Sequence, residues 1–294
     1  MLWIPFTLTA ALAQTFRNAM QRDLIATLGT AGATYVRFLF GLPFACLFLG
    51  LASLATGLSP PRPDTIALLW ILTGACAQIV ATGLMLAAMR EKSFVVTTAY
   101  TKTEPVQVAL FGLVFLGDGL NWPLAIAILV ATAGVLLMSW PRRQAGVAEP
   151  VRPAILGLIS GGCFALSAIG FRGGILRLET PNFVMAASTV LVIGLAIQSG
   201  LILALLLARD RPLLRAILAR WQPSMLAGFM GAFASQFWFL SFALASAARV
   251  RTLALVEVIF AQALSRKLFK QGASAREMAG MALIVAGVVL LLNG

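Results

Sequence analysis

Long apolar stretches, separated by short polar gaps, run through the whole chain and restrict what it can fold into. A helix needs about 20 mostly apolar residues to cross a hydrocarbon core about 30 Å thick. Apolar residues make up 60% of the chain and charged residues 11%, whereas soluble domains average about 45–50% and about 25%. The alternation typical of barrel strands is absent, and lipid does not satisfy exposed backbone groups. The sequence therefore predicts an all-α integral membrane protein.

Ten transmembrane helices are predicted from these stretches. The gaps between them contain residues that end a helix or are costly in lipid, such as the prolines of 59–63 and the charges of 90–92. The predicted helices lie at 3–20, 31–56, 65–89, 94–116, 121–140, 154–171, 183–208, 225–245, 252–269 and 276–293.

The chain is predicted to consist of two similar halves, 1–140 and 154–294, joined by a polar linker at 141–153. A shift of 153 residues places Glu104 on Glu257, and it also aligns the Ala-Gly-Val sequences at 133–135 and 286–288. Because each half has five helices, the second half enters the membrane from the opposite side. This arrangement is an inverted repeat, which recurs in secondary transporters.

The basic residues lie in the short gaps rather than in a basic domain, although the formal net charge is +12. We therefore predict a lipid bilayer and a small-molecule substrate as partners, and no nucleic acid. The gaps that follow the first, third, fifth, seventh and ninth predicted helices are richer in Lys and Arg than the others. The positive-inside rule makes these gaps cytoplasmic and places both termini outside.

No metal site, disulfide or cofactor is predicted. The chain has no His, and its three cysteines lie inside separate apolar stretches without metal-ligand spacing.

Charged residues inside a membrane helix are expensive and usually face a cavity or a partner. Lys102, Glu104 and Glu257 are the candidates of this kind. Glu104 belongs to a polar stripe at helical spacing, and Pro105 after it removes a backbone donor and favours a kink. The stripe consists of Thr97, Tyr100, Thr101, Glu104 and Gln107.

Two interpretations of these acids remain open. Glu104 either lines a solute pathway, binding a cation, a substrate ammonium group or a coupling proton, or forms a structural ion pair with Lys102 or Arg17. Glu257 either lines the same pathway or forms a buried pair with an arginine such as Arg172.

Other polar and aromatic residues at helical spacing are further candidates for substrate binding, and core packing is the alternative for each. They are Gln14 and Arg17 in helix 3–20, Gln78 and Thr82 in helix 65–89, Phe164 and Ser167 in helix 154–171, and Trp238 in the aromatic helix 225–245. Gly134 and Gly287 are predicted to permit close helix packing.

Enzyme chemistry is not predicted. Gly117-Asp118-Gly119 is similar to an element of aspartyl proteases, but a second intramembrane Asp is missing, and so are a His base and a serine elbow. Without a Walker motif, the energy for transport comes from a gradient, or transport is passive.

The chain resembles the drug/metabolite transporter superfamily, and most closely the bacterial ten-helix EamA-type exporters and their aromatic amino-acid exporter group. The resemblance rests on the two halves, on Thr103-Glu104-Pro105, Leu116-Gly117-Asp118 and Phe269-Lys270-Gln271, and on the two Ala-Gly-Val sequences. The second half departs from the family pattern, with Val258 in the place of the proline and Gln271 in the place of an acid.

This resemblance implies a multi-pass carrier of the bacterial inner membrane that exports amino acids or related metabolites by alternating access. It implies a central cavity lined by the first, third, fourth, sixth, eighth and ninth helices, and cytoplasmic termini, contrary to the charge count. One chain of ten helices is sufficient to form a pathway as a monomer. The alternatives are an exporter of organic cations and, outside transport, a membrane-embedded enzyme or an assembly subunit.

Overall fold

A computed structural model describes residues 1–91, 100–139, 151–260 and 275–293, and every regular element in these ranges is a helix. The helices are α1 (Trp3–Leu39), α2 (Leu42–Thr56), α3 (Thr65–Glu91), α4 (Glu104–Phe111), α5 (Trp122–Ser139), α6 (Val151–Arg177), α7 (Phe183–Arg209), α8 (Arg211–Ala219), α9 (Trp221–Leu244), α10 (Ala247–Leu253) and α11 (Ala275–Asn293). A π-helical turn (Gly112–Leu116) continues α4, and a 3₁₀ turn (Ala254–Val256) continues α10.

Within these ranges, six stretches are long and apolar enough to cross a membrane. They are Ala31–Thr56, Thr65–Met85, Ile155–Arg177, Phe183–Arg209, Trp221–Leu244 and Ala275–Asn293. Two shorter apolar helical stretches are Glu104–Leu116 and Trp122–Met138. The all-α membrane class is confirmed at this level. The number of ten spans, the inverted repeat and the division into halves at 141–153 stay predictions, and 140–150 lies outside the described residues.

Several helices differ from their predicted bounds. The predicted helix 31–56 is divided, because its first residues belong to α1 and α2 begins only at Leu42. Helix α1 continues past residue 20 and reaches Leu39 across a break at Gly29, whose φ of 67° suits glycine. Helix α6 continues beyond 171 to Arg177, and α8 lies in a segment that reads from the sequence as a polar gap.

The described chain forms two compact units, and each contains residues from both predicted halves. The first unit comprises Met1–Ile79 and Gly170–Ala245. In it, α1 packs along α9, and α7 packs against α2 and α9. The N-terminal part of α3 packs closely against the C-terminal part of α6. A Cβ on Gly74 would lie only 2.9 Å from the backbone nitrogen of Phe171.

The second unit comprises Val80–Ile169 and Ser246–Gly294. Its main contact is between α5 and α11, where a Cβ on Gly134 would lie 2.6 Å from the carbonyl oxygen of Gly280. A Cβ on Gly287 would lie 2.7 Å from that of Ala131. The predicted close approach at Gly134 and Gly287 is thus confirmed, and α4 packs against α10 in the same unit.

Candidate functional site

Four charged side chains meet where α4 and the segment before it pack against α10 and the segment after it, within the second unit. The Arg251 Nε atom lies 3.1 Å from Oε1 of Glu104. Lys102 forms an ion pair with Glu257. The four side chains are between 10% and 20% exposed. We call this group the charge cluster. It brings together three of the residues singled out in the sequence, and Arg251 completes it.

Proline sets the local structure on the α4 side of the charge cluster. The chain turns at Lys102 and Thr103, and α4 begins at Glu104 with Pro105 in its first turn. Proline is favoured there because the first-turn N–H groups lack intrahelical partners. Glu104 thus lies at the positive end of the α4 dipole, which stabilises its carboxylate.

The interruption before Pro105 also changes the packing of the preceding carbonyl group. Pro105 has no N–H to donate to the Thr101 carbonyl four residues earlier. Gly161 of α6 lies against that carbonyl, whose oxygen would be 3.1 Å from a Cβ at this position. Gly161 therefore allows α6 to pack closely against the irregular backbone at Thr101.

The opposite side of the charge cluster is built by two short turns. Ser246 caps α10 by accepting a hydrogen bond from the Arg249 N–H at 3.4 Å. Arg251 lies in the last turn of α10, and the 3₁₀ turn separates it from Glu257. The two partners of the α4 segment therefore come from one continuous stretch of chain.

The observed partners differ from those suggested by the sequence. Glu104 pairs with Arg251 and not with Lys102 or Arg17, the partners suggested by the sequence. Glu257 pairs with Lys102 and not with Arg172, the partner suggested by the sequence. Arg172 donates from Nη1 to the carbonyl oxygens of Phe242 and Ala245 in the first unit.

The Glu104–Arg251 contact is an ion pair and not an aligned hydrogen bond, because the Arg251 Nε–H does not point at Oε1. A buried ion pair gains its stability only when geometry and hydrogen bonding are good, and it is costly to leave with one partner. Removal of either partner of such a pair therefore leaves a costly buried charge.

The second unit also contains other predicted site residues, on α3, on α6 and before α4. Thr82 and Ser167 are buried, and Phe164 and Tyr100 are half-buried. The Ser167 hydroxyl has no hydrogen-bond partner among the described residues. Thr101 is also buried, whereas Thr97 of the predicted stripe lies outside the described residues.

The remaining predicted residues belong to the first unit. The indole N–H of Trp238 donates to Oε1 of Gln14 at 3.2 Å. The Gln198 amide donates to Oε1 of Gln78 at 2.7 Å. Arg17 is buried, and its Cδ would lie 3.8 Å from a Cβ on Gly231. The sequence candidates thus fall into two groups, one in each unit.

A small cavity of about 10 Å³ lies within the first unit. Basic, amide and aromatic side chains line it, among them Arg37, Gln78, Gln198, Phe171 and Phe239. This volume is enough for about one water molecule and is far below that of a typical ligand site. Gln78 is the only one of these five residues among the sequence candidates.

Phenylalanine rings of α9 form a continuous series with rings of α1 and α2 in the first unit. Ring centroids are 4.8 Å apart for Phe233 and Phe237, and 5.2 Å apart for Phe44 and Phe229. Phe6 continues the series at 5.8 Å from Phe237. The aromatic residues of α9 are therefore engaged with one another, which favours packing for most of them.

Arg251 and Gln198 are two of the residues of these sites that are not among the sequence candidates. Arg251 lies next to Arg249 at the end of a predicted gap, where it reads as a topology signal. Gln198 is an isolated polar residue in a strongly apolar helix, which is the signal that could have identified it. Within the described ranges, no group of three or more His, Cys, Asp or Glu residues is placed to hold a metal ion.

Comparison with known proteins gives a family for the first half of the chain. Residues 1–140 match the EamA-like transporter family, which belongs to the drug/metabolite transporter superfamily. The matched family consists of membrane transporters of small substrates. Among curated proteins no match is found.

The fold as a whole has a counterpart among solved structures. One, titled only "Crystal structure of protein", superimposes with a TM-score of 0.69 at 16% sequence identity. The alignment covers 98% of this chain and 95% of that chain. At this identity the likeness shows a shared fold.

Proposed function

Since its first 140 residues carry an EamA-like transporter domain, we propose that the protein is a secondary transporter that exports amino acids, aromatic ones included. Transport proceeds by alternating access through a central cavity, in the inner membrane of a bacterium. One chain is sufficient, because it contains its own charged and polar groups for binding solute.

The charge cluster is the observation that carries this proposal. A carboxylate and an ammonium or guanidinium group in a low-dielectric site attract each other strongly, and each is costly to leave alone. An amino acid carries both charges. Its ammonium group replaces Arg251 at Glu104, and its carboxylate takes the basic side chain that is released. The exchange keeps every charge paired, whereas a solute without charged groups offers no such replacement.

A proton is the proposed coupling ion. Protonation of Glu104 or Glu257 removes one charge of an ion pair, and so releases its basic partner without a solute. The proton and the ammonium group of the substrate then compete for one carboxylate. Competition of this kind is a general way to couple proton movement to substrate movement, because the carboxylate binds either the proton or the substrate at one time.

Export of organic cations is the second candidate, and the two buried acids of the charge cluster favour it. A cation is attracted by a carboxylate in a site of low dielectric constant. The two candidates differ in one respect, which is the need for a substrate carboxylate.

Counterflow in proteoliposomes tests the proposal. Vesicles containing the purified protein are preloaded with unlabelled phenylalanine, threonine, phenylalaninamide or tetraphenylphosphonium, and the same labelled solute is added outside. Protein-free vesicles are the control. We expect transient accumulation of labelled phenylalanine, and none of phenylalaninamide, which lacks the carboxylate.

Accumulation of tetraphenylphosphonium without phenylalanine would favour the organic-cation candidate. Absence of counterflow for amino acids and organic cations alike would contradict both.

A further inference from the structure

The short helix α8 joins two membrane spans. Helix α7 ends at Arg209 and α9 begins at Trp221, and both are long and apolar enough to cross a bilayer. Two consecutive spans are joined at one surface of the membrane. Helix α8 therefore lies at the boundary between hydrocarbon and water.

Helix α8 is amphipathic and is fixed to the first unit by its apolar side. It packs against α1, α7 and α9. Ile217 is buried, and Cδ1 of Leu213 lies 3.0 Å from the position of a Cβ on Gly32. Asp210 caps the helix by accepting a hydrogen bond from the Leu213 N–H at 3.0 Å. The orientation of α8 is thus set by packing and by a cap.

Exposed arginines lie on α8 and directly beside it, and we call them the arginine surface. Arg211 and Arg215 belong to α8, Arg209 ends α7, and Arg220 follows α8. Asp210 is the acid within this segment, and its carboxylate serves the cap. The arginine surface is therefore strongly positive at a level where lipid head groups lie.

Exposed apolar residues adjoin the arginine surface. Leu218 and Trp221 are both more than half exposed. Tryptophan is enriched at membrane interfaces, where its ring lies at the depth of the head groups. The segment thus combines guanidinium groups with apolar side chains, which is the composition of interfacial helices that bind anionic lipids.

We propose that the arginine surface binds the phosphate groups of anionic phospholipids. Guanidinium groups bind phosphate with two parallel hydrogen bonds, and each basic residue near an anionic membrane surface adds to the attraction. A lipid phosphate also places acyl chains beside Leu218 and Trp221, which a soluble phosphate does not. This assignment is independent of the solute that the protein carries.

The test measures lipid binding to the purified full-length protein in detergent. Native mass spectrometry records the affinity for phosphatidylglycerol and for phosphatidylcholine, which carries no net charge. We expect the wild-type protein to prefer phosphatidylglycerol, and R211Q/R215Q/R220Q to lose at least about tenfold in affinity for it. R62Q/R177Q, which removes two exposed arginines elsewhere, is the control and is expected to retain the preference.

Two further measurements separate binding from folding. R211K/R215K/R220K keeps the charge and is expected to retain most of the preference. In the wild-type protein, the preference is expected to decline as salt rises, because exposed charges are screened. Equal binding of both lipids, an unchanged affinity in R211Q/R215Q/R220Q, or full competition by inorganic phosphate would overturn the proposal.

Discussion

Oε1 of Glu104 lies 3.1 Å from Nε of Arg251, so the acid that begins α4 is held by the last turn of α10. This contact and the pair of Lys102 with Glu257 connect the same two stretches of chain. Because both pairs are shielded from solvent, they stabilise the second unit only while each charge has its partner.

A double-mutant cycle on the first pair tests this dependence. We expect E104Q and R251Q each to lower the free energy of unfolding by about 3–5 kcal/mol, because each leaves a shielded charge without its partner. E104Q/R251Q is expected to cost less than the sum of the two. Denaturant unfolding in detergent micelles measures all four proteins.

Strict additivity in that cycle would contradict a direct energetic link between Glu104 and Arg251. The cycle of D64N with R177Q is the matched control, because Asp64 and Arg177 form an exposed pair at 3.1 Å. Exposed pairs contribute little to stability, so the coupling between these two residues is expected to be smaller.

Reversing the second pair tests whether charge or shape matters at Lys102 and Glu257. We expect K102E and E257K to reduce the yield of folded protein, since each places two like charges together. K102E/E257K restores opposite charges and should recover much of that yield. Monodisperse protein after size-exclusion chromatography is the readout, and equal loss in all three variants would show that the contact does not depend on charge.

The apolar stretches and proline-containing gaps predict most helices of the described chain, because both signals act locally. The ends of α7, α9 and α11 lie within a few residues of prediction for this reason. Helix α6 is longer than predicted because Gly170, Gly173 and Gly174 pack against α3, and this tertiary contact outweighs the low helix propensity of glycine.

The candidate site could be predicted from the sequence only in part. An acid or a lysine inside an apolar stretch is conspicuous, and Lys102, Glu104 and Glu257 are found in this way. The partner of an acid depends on which helices meet, and no local pattern identifies Arg251. Helix α8 escapes prediction because a nine-residue amphipathic helix with exposed arginines has the composition of a loop.

Asp64 gives a prediction on the pH dependence of stability. The Ala67 N–H donates to its carboxylate at 2.7 Å, and this bond, with a smaller contribution from Arg177, lowers the pKa of Asp64 from its ordinary value of 3.8. The carboxylate therefore stabilises the folded protein at pH values above 3.8, and this contribution is lost as the pH falls through the lowered pKa.

We expect D64N to have a slightly lower melting temperature than the wild-type protein at pH 7, and the same one at a pH well below 3.8. R177Q is expected to show a smaller difference at pH 7, because the bond to Ala67 is kept. A difference for D64N that persists at low pH would contradict the account.

The contact between α5 and α11 predicts a strong effect of a single methyl group. In G134A the new Cβ would lie 2.6 Å from the Gly280 carbonyl oxygen and 2.8 Å from the Ile284 nitrogen. We expect a loss of about 1–3 kcal/mol in the free energy of unfolding. G83A has open space around the new Cβ and should gain about 0.5–1 kcal/mol from helix propensity. Equal stability of the two variants in thermal unfolding would contradict the described packing.

Counterflow of labelled phenylalanine by E104Q, at equal amounts of folded protein, tests the central claim most directly. D64N, which alters an exposed carboxylate outside the spans, is the control. The account predicts accumulation by the wild-type protein and by D64N, and none by E104Q at any pH at which the protein stays folded. Accumulation by E104Q with the rate and pH dependence of the wild-type protein would remove Glu104 from the transport mechanism.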